Sequence, residues 1–176
     1  EAEGAVVHAT GISGLNDLSQ AFGVPLGSGV KGQALALPFD ARDQSQLFVD
    51  NLHIVPHADG TVAIGSTSET TWDRDGPDAQ LDTLLAKAVA AVPALSGAEV
   101  TARWAGTRPK AASRAPLVGA WPGRAGHFVA NGGFKIGFGM APKVAEVMAD
   151  LVLDGRDGIP PDFRLEPLLQ KATGRR

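Results

Sequence analysis

Few residues in this chain have the type and setting for chemistry. Arg108 stands in "WAGTRPK" (residues 104–110), at the end of an apolar run, with Pro109 behind it and the small Ala105 and Gly106 before it. An arginine held on a stiff strand end presents a planar fork that can grip a carboxylate through two parallel hydrogen bonds. The same residue reads equally as a surface arginine in a structural ion pair. His53 and His57 are four apart, a spacing that pairs zinc ligands on a helix. Pro56 and the surrounding alternation make the segment a strand, however, where such positions lie roughly 13 Å apart. With no third ligand near, metal binding is not expected. Glu69 and Asp73 lie in the polar stretch "STSETTWDRDGPD" (residues 66–78) and are expected to be solvated loop carboxylates rather than an acid–base pair.

Two glycine-rich stretches raise the question of a bound group. "GSGVKG" (residues 27–32) has the spacing of a dinucleotide fingerprint. That fingerprint needs a helix after it to receive the pyrophosphate, whereas "QALALPF" reads as a strand, so the match is expected to be a coincidental loop. The second stretch, "ANGGFKIGFGMAPKVAEVMADLVLDG" (residues 130–155), clusters Gly132, Gly133, Gly137 and Gly139 ahead of a helix. Pro142 is a favoured first helical residue, and neither Met140 nor Ala141 offers a capping oxygen. The unpaired N–H groups and partial positive charge of such an end must be met by water or by a ligand acceptor. "VVHATG" (residues 6–11) ends a strand on a hydroxyl and a glycine, a turn that permits close approach of a ligand to the backbone.

The elements that must carry these residues follow from periodicity. Strands are expected at residues 4–10 (buried, closed by Gly11), 30–37, 46–56, after the Asp59–Gly60 hairpin signal, at 98–109, and in "APLVGAW" and "GHFVAN". Leu81, Leu84, Leu85, Ala88, Val89 and Val92 recur at helical spacing, with Asp78 as N-cap and Pro93 as stop. A last helix over 142–153 turns Val144, Ala145, Met148, Leu151 and Val152 inward. The expected class is α+β, a mostly antiparallel sheet with one inserted helix and one near the end.

Composition narrows the rest. A chain of 176 residues, 44% hydrophobic and 20% charged, suits a globular fold of one domain or two small lobes. The net charge of −3 leaves no electrostatic footprint for nucleic acid. No apolar run approaches the roughly 20 residues that span a bilayer. With no cysteine, thiol chemistry is excluded and a reducing, cytoplasmic setting is expected. Because the chain opens on Glu1 and enters a strand almost at once, it reads as a piece of something longer; "KATGRR" reads as a frayed tail.

Taken in order, "VVHATG", "VKGQALAL", "HIVPHADGTVAIGSTSE", "WAGTRP…APLVG" and "GGFKIGFGMAPKVAEVMADLVLDG" resemble the C-terminal half of the FAD-dependent D-amino-acid oxidase superfamily, nearest its glycine oxidase and sarcosine oxidase branch. The resemblance implies an incomplete FAD-binding domain at residues 1–20 and 102–176, flanking an antiparallel substrate domain at 21–101. It implies FAD as cofactor, held at Thr10, Gly11, Gly132, Gly133, Phe134, Lys135, Gly137, Met140 and Ala141. It implies a small amine or amino-acid substrate held by Arg108, Lys135 and His53, and the absent N-terminal half as partner. Lys135 stands where relatives place an arginine, His53 where a tyrosine is common, and Ser113 where an acid is usual. The implied reaction moves a hydride from the amine-bearing carbon to the flavin, with no catalytic residue assigned in this chain. A non-catalytic module that packs against a partner carrying the fingerprint is the alternative.

Overall fold

The computed structural model describes residues 4–174. They divide into two compact units, Glu1–Gly29 together with Arg108–Arg176, and Val30–Thr107. The order along the chain is β1 (Val6–His8), α1 (Gly11–Phe22), β2 (Gly27–Pro38), β3 (Leu47–Val49), β4 (Leu52–Pro56), β5 (Thr61–Gly65), α2 (Gln80–Ala91), β6 (Ala102–Ala111), β7 (Leu117–Ala120), β8 (His127–Asn131), α3 (Gly137–Asp154) and α4 (Leu165–Thr173). The described chain is thus α+β, as expected. Among the described residues no helix is long and apolar enough to cross a membrane.

In the Val30–Thr107 unit, alternation decides which face is buried. Leu52 and Ile54 on β4, Val62 and Ile64 on β5, and Leu35 and Leu37 on β2 share one face of an antiparallel ladder, in which Ile54 and Leu35 both pair with Ile64. Leu81 and Ala88 of α2 close over that face with Leu95. Burying each large aliphatic side chain contributes about 1.5–3 kcal/mol. Asp50 and Asn51, at φ 49° and 63°, fold the expected 46–56 segment into a β3–β4 hairpin. These are residues that tolerate the left-handed region a tight hairpin turn requires. The β5 hairpin forms where Asp59–Gly60 foretold it, the Asp59 carboxylate accepting from the Thr61 N–H at 3.0 Å. Helix α2 starts at Gln80, whose N–H donates to the Asp78 carboxylate at 2.9 Å, and yields at Pro93 to a short 3₁₀ turn.

Glu69 corrects the solvated-loop expectation. It exchanges both backbone hydrogen bonds with Lys31 of β2, at 2.9 Å each, and its carboxylate lies 3.6 Å from the Lys31 ammonium, which is fully buried. Lys31 also reaches Asp78 at 3.3 Å and donates to the Arg74 carbonyl at 2.8 Å. A buried ammonium is tolerated only with such company. Asp73 is exposed, as expected. The glycines of "GSGVKG" lie in extended β2 rather than a loop; a Cβ at Gly27 would come within 2.4 Å of the Lys110 carbonyl.

The other unit holds a three-stranded sheet in the order β1-β8-β7, with β1 parallel to β8 and β7 antiparallel to it. Strand β1 is shorter and less buried than expected, with Val7 43% exposed. Helix α1 was not legible as a helix, although Leu15 and Leu18 are buried and Gly23 caps its C-terminus at φ 64°. Helix α3 begins at Gly137 rather than Pro142, after a 3₁₀ turn at Phe134–Ile136. The first turn is built of glycines and bulky residues, so propensity hides it, and Pro142 sits inside the helix, where it withholds one N–H from the ladder. Val147 and Met148 are buried on its inner face, whereas Ala145 is exposed. Arg175 and Arg176 of the expected tail lie outside the described residues.

Candidate functional site

A groove of about 420 Å³ opens in the β1-β8-β7 unit, lined by Val7, Ala9, Gly11, Pro109, Pro116, Asn131, Gly132, Gly133, Gly137, Ala141 and Met148 among others. Two helices begin on it, α1 at Gly11 and α3 at Gly137, and neither has a side-chain hydrogen bond capping its start. Their first-turn N–H groups and partial positive charge are therefore left for whatever fills the groove.

Backbone shape here depends on Asn131, a buried residue at the end of β8. Its amide nitrogen donates to the Gly11 carbonyl at 2.8 Å and its carbonyl oxygen accepts the Gly132 N–H at 2.7 Å. One side chain thus ties the turn after β1 to the turn after β8. Gly11 at φ 64° and Gly132 at φ 74° both occupy the left-handed region. At Gly132 a Cβ would also lie 2.7 Å from the Ala111 Cβ, and at Gly133 it would lie 2.7 Å from the Gly137 Cα. At Gly11, Gly137 and Gly139 a Cβ would meet nothing within 4 Å. The first pair is needed by the protein's own packing; the second set keeps the helix starts open.

Of the residues expected at the cofactor, the structure brings Gly11, Gly132, Gly133, Gly137 and Ala141 together on the groove. Thr10 adjoins Gly11, while Phe134 and Lys135 form the 3₁₀ turn leading into α3, and Met140 is half-buried within its first turns. Arg108 is half-buried on β6, which continues through Pro109 to Ala111 instead of ending at the proline. His53 belongs to the Val30–Thr107 unit. There it is exposed on β4, its ring 4.5 Å from that of Phe48 and its Nδ1 3.1 Å from the Gln46 amide.

Sequence reading overlooked several residues. Asn131 left one signal, a polar residue closing an apolar strand before two glycines. Lys110 forms an isolated bridge with Gly133 and sets its ammonium 5.7 Å from the Phe134 ring centre. His8 Nε2 and His127 Nδ1 share a hydrogen bond of 2.9 Å beside Trp121, a contact between strands that only folding reveals. Burial first, then the charge of Arg124 and the nearby His8, push the His127 imidazole below its ordinary value. Among the described residues no group of three or more acidic, histidine or cysteine side chains is arranged to hold a metal ion.

The flavin implied by the resemblance fits these residues. The groove has an apolar lining, its glycines leave space that side chains would fill, and uncapped helix starts suit a ring edge that gathers negative charge.

Comparison with known proteins agrees. A glycine oxidase of Pseudomonas putida is 33% identical over 135 residues, covering 75% of this chain and 37% of that protein. The crystal structure of glycine oxidase from Geobacillus kaustophilus superposes with a TM-score of 0.77 at 32% identity, covering 92% of this chain and 45% of that one. An iminodiacetate oxidase from Chelativorans shares the fold, at a TM-score of 0.82 and 20% identity. The chain therefore spans less than half the length of these relatives. The family described as FAD dependent oxidoreductase (DAO) matches residues 1–151, and with most of its length matched in this way the chain belongs to that family.

Proposed function

We propose that this chain is the flavin- and substrate-contacting portion of an FAD-dependent oxidoreductase, and that the whole protein oxidises the carbon–nitrogen bond of a small amino acid or amine. The groove carries this reading: it joins two uncapped helix starts and a set of glycines that the fold itself does not fill. FAD, when bound, supplies the hydride acceptor. Gly11 and Gly137 leave it room, with Thr10, Gly132, Gly133, Phe134, Lys135, Met140 and Ala141 flanking. Asn131 holds the two turns in place.

Arg108 takes the substrate carboxylate through paired hydrogen bonds, and Lys135 adds a further cationic contact to the substrate. With an amine that arrives neutral, no side chain has to remove a proton, and none is assigned that role. The Val30–Thr107 unit is read as the substrate domain and the remainder as returning pieces of the FAD-binding domain. The names of the glycine oxidase relatives support the substrate class.

The test is to mix the full-length protein anaerobically with glycine, sarcosine and other small amino acids and record its visible spectrum. A yellow protein that bleaches supports the reading; a colourless one overturns it. A yellow protein that no amine bleaches favours the non-catalytic module. Replacing Arg108 with alanine removes a contact of about 1.5–3 kcal/mol, so KM for carboxylate substrates is expected to rise about 10-fold or more.

A further inference from the structure

Lys110 follows Arg108 by two residues on β6 and meets Lys135 at the Phe134 ring, which gathers more positive charge than an amino acid with one carboxylate answers. The Lys110 and Lys135 ammonium groups each lie 5.7 Å from the centre of the Phe134 ring. Lys110 is half-buried on β6, two residues beyond Arg108, so strand alternation sets both side chains on one face and Pro109, which lines the groove, on the other. The backbone bridge between Lys110 and Gly133 ties this strand to the turn that carries Phe134 and Lys135. Phe134 itself is at φ 48°, a costly conformation for a bulky residue and one that concentrates at ligand sites. Lys31 has Glu69 and Asp78 as carboxylate partners, and Lys143 has Glu146. Among the described residues neither Lys110 nor Lys135 has a carboxylate within ion-pair distance.

We propose that Lys110 and Lys135, both in cation–π contact with the Phe134 ring, bind a second carboxylate of the substrate, so that the site prefers amino dicarboxylates to amino monocarboxylates. This rests on the reading that Arg108 receives the first carboxylate. An ammonium on a flexible stem is a point donor that adjusts to a group at variable distance, the role complementary to the rigid fork of Arg108. The Phe134 ring holds both cations near the turn without neutralising them, which leaves their charge for an anion. A monocarboxylate brings one negative charge to three cations; a dicarboxylate brings two.

The experiment uses the flavin-loaded full-length protein and two isosteric pairs that differ only in the second charge. Succinate and succinamate are titrated as inert ligands by perturbation of the visible spectrum, and aspartate and asparagine are compared by kcat/KM. The dicarboxylate member of each pair is expected to be favoured by at least about 10-fold, the ratio one charge-assisted contact produces. Lys110→Gln is expected to weaken succinate about 10-fold and succinamate less than about 2-fold, while Lys110→Arg keeps the preference. Flavin absorbance reports whether each variant is folded and loaded.

Equal binding of succinate and succinamate by the wild type overturns the proposal, as does an equal loss of both ligands in Lys110→Gln, which would make the lysine a structural cation. Bleaching by glycine or sarcosine without dicarboxylate preference sinks this inference and leaves the oxidase reading standing. A protein that no amine bleaches sinks the oxidase reading, whatever the ligand titrations give.

Discussion

Asn131 joins the carbonyl of Gly11, 120 residues away in sequence, to the N–H of its neighbour Gly132. Asn131→Ala leaves both backbone groups to find other partners in a buried setting, at an expected cost of about 1–3 kcal/mol. Urea unfolding measures the loss, and flavin affinity should fall with it. Two glycines a few residues on separate packing from access. Gly132→Ala forces a Cβ to 2.7 Å from that of Ala111 at a φ of 74°, and should destabilise the protein. Gly137→Ala meets nothing within 4 Å at a φ of −55°, so stability should hold or rise by about 0.4–1 kcal/mol. If the groove is the flavin site, the same change should weaken flavin binding; unchanged affinity would place the ring elsewhere. His127 makes a pH prediction. Its folded pKa lies below the ordinary 6.5, chiefly through burial, so the unfolded chain binds the proton first. Stability should therefore be intact above about 6.5 and decline as pH falls below it. His127→Gln should flatten that limb in a series of thermal melts.

Between β5 and the start of α2, the 66–78 segment is held against Lys31 of β2 by charge rather than by apolar burial. Burial alone would raise the Glu69 carboxyl, but hydrogen bonds from Thr67, Gln33 and Gln80 and the Lys31 charge bring it below its usual value. The Gln80 backbone N–H, with Gln33 and Lys31 behind it, lowers Asp78 to about 2. Both carboxylates thus contribute stability that is present above their unfolded values, 4.5 and 3.8, and lost as pH falls below them, for Asp78 toward about 2. Lys31→Ala strands these acids and should cost about 3–5 kcal/mol, whereas a well-packed Lys31→Met with Glu69→Gln should recover much of it. Denaturation curves of the single and double variants check this. Strand positions were legible because alternation at Leu35, Leu37, Val62 and Ile64 mirrors burial directly. The start of α3 was not, because glycine and a misleading proline mask a helix that tertiary packing of Val147 and Met148 supports.

Each of the two units encloses its own core. The cluster around Leu35, Ile54, Ile64, Leu81 and Leu95 lies within Val30–Thr107, and the clusters around Leu15, Leu117 and Val129 and around Val118 and Met148 lie in the other unit. A peptide spanning Val30–Thr107 is expected to fold alone, with a cooperative thermal transition and dispersed amide resonances; a broad, non-cooperative melt would refute it. The amino-acid order alone determined the α+β class, the hairpin at Asp59–Gly60, the helix after Asp78 and the family motifs, because alternation, turn chemistry and short spacings act between near neighbours. Only tertiary structure decided that Glu69 and Asp78 neutralise a buried Lys31, that Asn131 binds Gly11 to Gly132, and that Lys110 and Lys135 both come to the Phe134 ring. Those contacts join residues far apart along the chain, and their energies exist only once burial has lowered the dielectric around them.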